Sequence, residues 1–361
     1  MKKLEIFFKN ILLNILLSLS GSRKNHEALK ITGDSRLLFV RLNRIGDALI
    51  STALLKLVKE KYNCHITVLA DQKNYFIFKN KKIVDEIFIY RKGFRGLREL
   101  IRTINAGKFD AVIDLHDDVS TTVSFIIAAV KINYKLGLRK SNSKIYTATV
   151  EKPDAETTHV IDRLRPLAAI LGIDTPNTNM NVFYEPKESS VKSCKEYLAN
   201  NYTGKKFLVG INISAGSKAR FWGIQRFKKL LEALSKYDLN IILMCTKDDL
   251  AYAMSIAENN YKIFYRPDFD EFAGMIPNLD LLFTPDTSII HLASAYSVPV
   301  FGLYVKYNTN NMIWYPYKSK YEAVITDDPT LENMGFDTVI KKFLPFFENL
   351  YEKRNSKMQK I

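Results

Sequence analysis

Short unbroken apolar runs alternate along this chain with longer stretches whose apolar residues recur at helical spacing. Leu37 to Arg41 reads as a strand, Ala48 to Lys61 as a helix and His65 to Ala70 as a strand. Glu86 to Tyr90 follows as a strand, Leu97 to Asn105 as a helix and Ala111 to Leu115 as a strand, while Val119 to Val130 is apolar enough for either a buried helix or a strand. The polar, Pro-containing passage from Asp174-Thr175-Pro176-Asn177 to Glu185-Pro186-Lys187 reads as a domain boundary. The alternation then resumes. Strands are predicted at Phe207 to Asn212, Ile241 to Met244, Lys262 to Tyr265, Leu281 to Thr284 and Val300 to Leu303. Helices are predicted at Arg226 to Tyr237, Asp249 to Ala257, Phe269 to Ile276, Ser288 to Ala295 and Phe336 to Lys353. Such alternation predicts an α/β fold of two Rossmann-like domains, each a mostly parallel sheet with helices on both faces. The expected divisions are 1–22, an amphipathic helix; 35–183 and 188–335, the two domains; and 336–361, a helix with a basic tail.

Length agrees with two domains, at roughly 100–200 residues each. The formal net charge of +15 implies an anionic partner: nucleic acid, an acidic membrane surface or a phosphorylated substrate. The basic residues are spread along the chain without a nucleic-acid-binding module, which disfavours the first. Cys64, Cys194 and Cys245 are scattered, lack metal-ligand spacing and suit a reducing compartment. The amino terminus carries Lys2, Lys3 and Lys9 and a dense apolar run from Ile11 to Leu19. It has three readings: a signal peptide, a helix lying in the bilayer interface, or a helix packed on the protein itself. No stretch has the length of a membrane span.

The candidate chemistry gathers where predicted strands end, the place where open α/β sheets bind ligands. Asn43-Arg44-Ile45-Gly46-Asp47 links the first strand to the first helix. Gly46 permits close backbone approach and a positive φ, and Asp47 stands at the helix start with its carboxylate aimed at a ligand, although helix capping alone also accounts for it. Thr284-Pro285-Asp286-Thr287-Ser288-Ile289-Ile290-His291 is a second strand-to-helix junction. The helix start, with the Thr287 and Ser288 hydroxyls and His291 one turn in, suits phosphate, or else is a capped helix with a core histidine. Ser214 to Phe227 follows a third strand and carries Lys218 and Arg220, either of which could meet an anionic ligand, or which form a solvated basic loop. Trp222 there reads as packing. Asp114-Leu115-His116-Asp117-Asp118 ends a fourth strand; its clustered carboxylates could bind a metal, contact a ligand or, at Asp117 and Asp118, cap the next helix, and His116 faces a ligand if the strand ends at Leu115. His159, Asp162, Arg163 and Arg165 form a polar group that suits an anionic ligand or an ordinary charged helix surface.

Arg41 to Thr52 resembles the opening of the heptosyltransferase-type glycosyltransferases of family 9, roughly R-x-D-R-I-G-D-x-x-x-T-x-P, with Asn43 for the first Asp and Ala53 for the Pro. The segment from Asp286 to Ala293 resembles that family's D-T-G-x-x-H-L/I-A motif, with Ser288 in the place of Gly. Ser214 to Phe227 resembles its G-A…K-R-W-P-x-E-R-F passage: Trp222, Arg226 and Phe227 keep register, Arg220 takes the Lys position, Phe221 the Arg position, and Lys218 lies two residues earlier. The resemblance runs from about Leu37 to Leu303. It implies the GT-B fold, two Rossmann-like domains facing across a cleft. It also implies inverting transfer of a heptose or similar sugar, from ADP-heptose or a related nucleotide-sugar, to a lipopolysaccharide core or related glycolipid. Asp47 would be the base. Lys218, Arg220, Asp286, Thr287, Ser288 and His291 would hold the donor, and Arg44, Gly46 and His116 would line the acceptor side. No cofactor is implied and no metal requirement. The place of action would be the cytoplasmic face of the bacterial inner membrane, with peripheral attachment. Two other readings stay open at this point: a non-catalytic, basic membrane-surface protein that retains the fold, and a nucleotide-sugar epimerase.

Overall fold

The computed structural model describes residues 11, 13–15, 17, 18, 29–42, 44–174 and 178–358. The chain divides into two compact units between Phe183 and Tyr184.

In the first unit, β1 (Arg36–Arg41), α1 (Ile45–Tyr62), β2 (His65–Asp71), β3 (Glu86–Tyr90), α2 (Phe94–Ala106), β4 (Ala111–Asp114), α3 (Thr121–Ala129), β5 (Tyr134–Leu138), β6 (Ala148–Val150) and α4 (Arg165–Ile170) follow in turn. Six strands form one sheet in the order β3-β2-β1-β4-β5-β6. Every pairing is parallel. Both faces of the sheet are covered, which is why β1 and β4 are apolar without alternation. Helix α1 is buried along most of its length, and Asn63, in the left-handed conformation, ends it by donating its N–H to the Lys59 carbonyl at 2.8 Å. On the other face, Leu100 and Ile104 of α2 and Val123, Ile126 and Ile127 of α3 pack with Leu38, Val40 and Val112.

The second unit repeats the plan. It contains α5 (Glu188–Asn201), β7 (Phe207–Asn212), α6 (Ile224–Leu234), β8 (Leu239–Met244), α7 (Leu250–Ala257), β9 (Lys262–Phe264), α8 (Phe269–Met275), β10 (Leu281–Pro285), α9 (Ile289–Ala295), β11 (Val300–Val305), β12 (Tyr321–Thr326) and α10 (Phe336–Met358). Its sheet runs β12-β11-β10-β7-β8-β9, again all parallel. Counted within each unit, both sheets have the strand order 3-2-1-4-5-6 of dinucleotide-binding folds. Trp222 is fully buried, packs edge-on against Phe227 and donates its indole N–H to the Met334 carbonyl at 2.9 Å, so it is a packing residue. Helix α10 belongs to the core of this unit. Its Phe343 ring meets the stacked rings of Phe283 and Phe301 edge-on, at 5.3 and 5.1 Å.

Of the amino-terminal segment 1–22, most lies outside the described residues; its described positions are helical. Leu13 is buried and Leu17 packs on the core of the first unit, whereas Ile11 and Ile15 are exposed. No helix among the described residues is long and apolar enough to cross a membrane.

Replacing Phe343 by Ala removes three ring contacts from a packed core and should cost about 3–5 kcal/mol, the range for aromatic truncation. Urea unfolding monitored on the second unit through Trp222 checks this.

Candidate active site

In a doubly wound sheet a crevice opens where the chain reverses its direction of progress across the sheet. In the first unit that point lies between β1 and β4. Helix α1 begins at Ile45, earlier than the sequence pattern predicted. Gly46 therefore lies inside its first turn with helical dihedrals, and the expected positive φ is not found there; the left-handed glycines are Gly93, Gly172, Gly204 and Gly223. Asp47 is likewise within the first turn rather than at the cap, where its charge complements the helix dipole. Arg44, exposed, occupies the cap position and makes no side-chain cap bond.

The Asp47 carboxylate is mostly covered, and its nearest cation is Arg41, 3.8 Å away and almost wholly buried at the end of β1. The Arg41 Nε donates to Ser51 Oγ at 2.8 Å, and Ser51 Oγ donates to the Asp47 carbonyl at 2.8 Å. The Arg41 carbonyl accepts from Asn74 Nδ2 at 3.1 Å. Arg41 thus faces the Asp47 carboxylate as a charge contact and reaches the Asp47 carbonyl only through Ser51. Arg41 and Ser51 carry no signal in sequence beyond their place in the matching segment.

His116 lies across the switch point, after β4, and is buried. Its Nε2 accepts the Leu42 N–H at 3.0 Å, so the ring proton sits on Nδ1, 2.6 Å from Asp114 Oδ1. Both ring nitrogens are engaged inside the unit, and the expected open, ligand-facing imidazole is replaced by one that pins the loop leaving β1. Asp114 Oδ2 in turn accepts from Lys140 Nζ at 2.9 Å and from Tyr146 OH at 2.5 Å. Burial would push the Asp114 carboxyl up, but His116, Lys140 and Tyr146 outweigh it and hold it well below its ordinary value. Asp117 pairs with buried Arg163 at 3.5 Å, and exposed Asp118 faces Lys152 at 3.6 Å. Neither caps α3: Ser120 does, its Oγ accepting the Val123 N–H. Arg163 also donates to the Thr158 and Ala155 carbonyls, and Arg165 to Asp162 at 2.6 Å, so that group is committed to local loop structure. Among the described residues no group of three or more His, Cys, Asp or Glu has the placement of a metal site.

In the second unit the switch point lies between β7 and β10. Buried Asn212, at the end of β7, spans it by donating to Thr284 Oγ1 at 2.9 Å and to the Ser214 carbonyl at 2.8 Å. The loop beyond carries Lys218 and Arg220 in a single turn of 3₁₀ helix, and the loop after β10 carries Asp286, Thr287 and Ser288. Arg220 Nη2 lies 3.1 Å from Asp286 Oδ2, which joins two of the expected donor residues across the switch point. Lys218 is exposed and makes no ion pair among the described residues. Arg226 serves structure, donating to the Trp222 and Glu332 carbonyls. His291 is buried, its ring 5.9 Å from that of Trp314. Helix α9 has only seven residues, and its first internal bonds are short-range, Ile290 N–H to the Thr287 carbonyl and His291 N–H to the Ser288 carbonyl, both at 3.1 Å. What this end offers an anion is therefore hydroxyls and loop amides rather than a long helix dipole.

Two parallel sheets of Rossmann order in one chain, each with polar side chains gathered beside its switch point, define the GT-B class of α/β protein. The chain belongs to glycosyltransferase family 9 (heptosyltransferase), whose sequence profile matches residues 97–343, and it is a glycosyltransferase. Asp47 precedes the matched span. Lipopolysaccharide heptosyltransferase 3 of Escherichia coli K12 is 25% identical over 289 residues, which cover 75% of this chain and 82% of that protein. The crystal structure of a family 9 glycosyltransferase from Veillonella parvula superposes with a TM-score of 0.76 at 21% identity, covering 90% of this chain and 99% of that one. E. coli heptosyltransferase WaaC with ADP has a TM-score of 0.69 at 16% identity, covering 87% and 99%.

The Asp114 cluster gives a pH dependence whose sign is fixed. A carboxyl with a depressed folded pKa contributes its full stability above its unfolded value, about 3.9, and loses it as pH falls through the folded value. Asp114→Asn should be less stable than the wild type by about 3–5 kcal/mol near neutrality, the range for breaking a buried pair. The gap should narrow below about pH 4. Urea unfolding of both proteins across that range checks the expectation.

Proposed function

We propose that this glycosyltransferase moves a heptose from ADP-heptose to a lipopolysaccharide core or related glycolipid, with inversion at the anomeric carbon. The observation that carries the reading is Asp47, a carboxylate in the first turn of α1, beyond the carboxyl end of the central strand β1, facing Arg41 and linked to it through Ser51. Family membership supports the transfer, the E. coli relative is named for heptosyl transfer in lipopolysaccharide, and the ADP of the WaaC structure supports the nucleotide. In the proposed step Asp47 takes the proton of an acceptor hydroxyl. The acceptor oxygen bonds to the anomeric carbon, the bond from that carbon to the diphosphate oxygen breaks, and the nucleoside diphosphate leaves with the electron pair.

The departing diphosphate needs positive charge. Lys218 supplies a mobile point charge, and Arg220, oriented by Asp286, supplies the guanidinium N–H groups not turned to that carboxylate. Thr287 and Ser288 add hydroxyl donors. These groups perform the neutralisation in this reading, so the reaction requires no metal. The net charge of +15 suits an acceptor bearing phosphate at an anionic membrane face.

Asp47→Asn should lower kcat by about 10²–10⁴ while donor affinity is retained, since the amide keeps shape but cannot take the proton. Transfer assays with purified acceptor measure the first and calorimetry the second; wild-type turnover would remove Asp47 from the role of base. Lys218→Ala and Arg220→Ala should each weaken ADP binding by about 1.5–3 kcal/mol. Unchanged affinity in both would place the diphosphate elsewhere. Activity in EDTA should equal that in added Mg²⁺, and a loss on chelation would contradict the proposed neutralisation.

A further inference from the structure

Strand β3 is an edge of the first sheet, and the chain leaves it through Arg91, Lys92 and Gly93 into α2. Phe94, the first residue of that helix, is 83% exposed, the most exposed large hydrophobic side chain among the described residues. Its exposure is built by the local backbone. Gly93 has φ +107°, which other residues rarely adopt, and a Cβ at Gly96 would lie 2.5 Å from the Arg91 carbonyl oxygen. The loop therefore folds tightly on the helix start and leaves Phe94 at the tip. The inward residues Leu100 and Ile104 fix the helix on the core of the unit.

Around this tip the charge is of one sign. Arg91, Lys92, Arg95, Arg98 and Arg102 are all exposed, and the sole carboxylate of the segment, Glu99, lies 3.4 Å from Arg95. At the angular step of an α-helix, Phe94, Arg98, Arg102 and Arg95 fall within a sector about 100° wide. Exposed Ile89 on the edge strand adds a second apolar side chain next to the loop. An aromatic tip ringed by guanidinium groups matches the chemistry of an anionic bilayer surface: the ring enters the headgroup layer while the cations meet lipid phosphates. A single-stranded nucleic acid could also pair with the cations and stack a base on the ring, but exposed Ile89 gives the corner a second, aliphatic side chain that suits a bilayer and offers a base no stacking face.

We propose that this corner, Phe94 with Arg91, Lys92, Arg95, Arg98 and Arg102, docks the enzyme on anionic lipid, separately from segment 1–22. It does not depend on the identity of the donor or of the base.

The test uses the full chain and vesicles of phosphatidylcholine with or without phosphatidylglycerol. In Phe94→Trp, tryptophan emission should shift to the blue on vesicles containing phosphatidylglycerol and be quenched by brominated lipid; the chain's own two tryptophans, in the wild type, give the background. Phe94→Ser should lower the vesicle partition coefficient about tenfold, and each cation removed among Arg91, Arg95 and Arg98 should lower it about fivefold. Thermal melting and turnover on a soluble acceptor analogue should match the wild type in all of these. Partition unchanged in both kinds of variant, with no blue shift, would assign attachment to another segment and overturn the proposal. Loss of binding on removing cations but indifference to Phe94→Ser, with equal binding to heparin, would make the corner a general polyanion site and overturn it equally.

Discussion

The reversal of strand order between β1 and β4, and again between β7 and β10, is the constraint from which the placement of chemistry follows. In a parallel sheet covered on both faces, strand interiors are closed to polar groups, and only strand ends can present them. At the reversal the connections on either side lead to opposite faces, so the carboxyl ends of two neighbouring strands are left open together. Leu42, just past the end of β1, and the Asp114–His116 pair are brought together in this way in the first unit, and Arg220 and Asp286 in the second. In the sequence the members of each set are roughly seventy residues apart; the sheet makes them neighbours, as the pairing of Val40 with Asp114 records directly.

The two switch points solve the problem of burying polarity differently. The second bridges its strands with neutral groups, Asn212 to Thr284, which can be satisfied by single hydrogen bonds. The first buries charge: Arg41 on one side, and Asp114 with Lys140 on the other. Desolvating each ion costs several kcal/mol, and such a pair is recovered only if its remaining donors and acceptors are used. Asp114 meets that condition. One oxygen takes the His116 ring and backbone N–H groups, and the other takes Lys140 and Tyr146. The whole cluster ends on one backbone amide, that of Leu42, in the loop that leads to Asp47. Charge buried at this cost holds the Leu42 amide in place at the end of β1, which suits the general-base role proposed for Asp47.

How much of this was legible in the sequence depends on whether a local pattern or a distant partner decides the outcome. β3 and β7 follow directly from their apolar runs, and the three motif-bearing junctions fall at strand ends as their patterns indicated. β5, β6 and β12 were missed. β5 carries Lys135 and Gly137 inside a short strand, and β6 has three residues, so neither shows a periodic signal. α5 was missed because it buries only Ser190 and Cys194; it is fixed by Asp270 of α8, whose carboxylate takes the Ser190 hydroxyl and Lys187 N–H. The sequence places His116 toward a ligand because it gives no way to see that Leu42 reaches one nitrogen and Asp114 the other.

The end of the second unit proposed to bind an anion is where a motif and its physics part. A glycine at position 288 would let phosphate approach the backbone closely; serine stands there, at a cap position with helical dihedrals and no side-chain cap bond of its own. The helix it opens is seven residues long, too short to give much of a dipole. In the proposed reading, the loss of amide approach and of dipole leaves the holding of a diphosphate to side chains: the Thr287 and Ser288 hydroxyls, and above all the cations of the neighbouring loop. That loop has itself changed, with the arginine at position 220 paired to Asp286 and Lys218 carrying charge two residues earlier. In the proposed reading the two departures compensate one another, because an exposed lysine that makes no ion pair among the described residues could follow an anion that the backbone holds less closely.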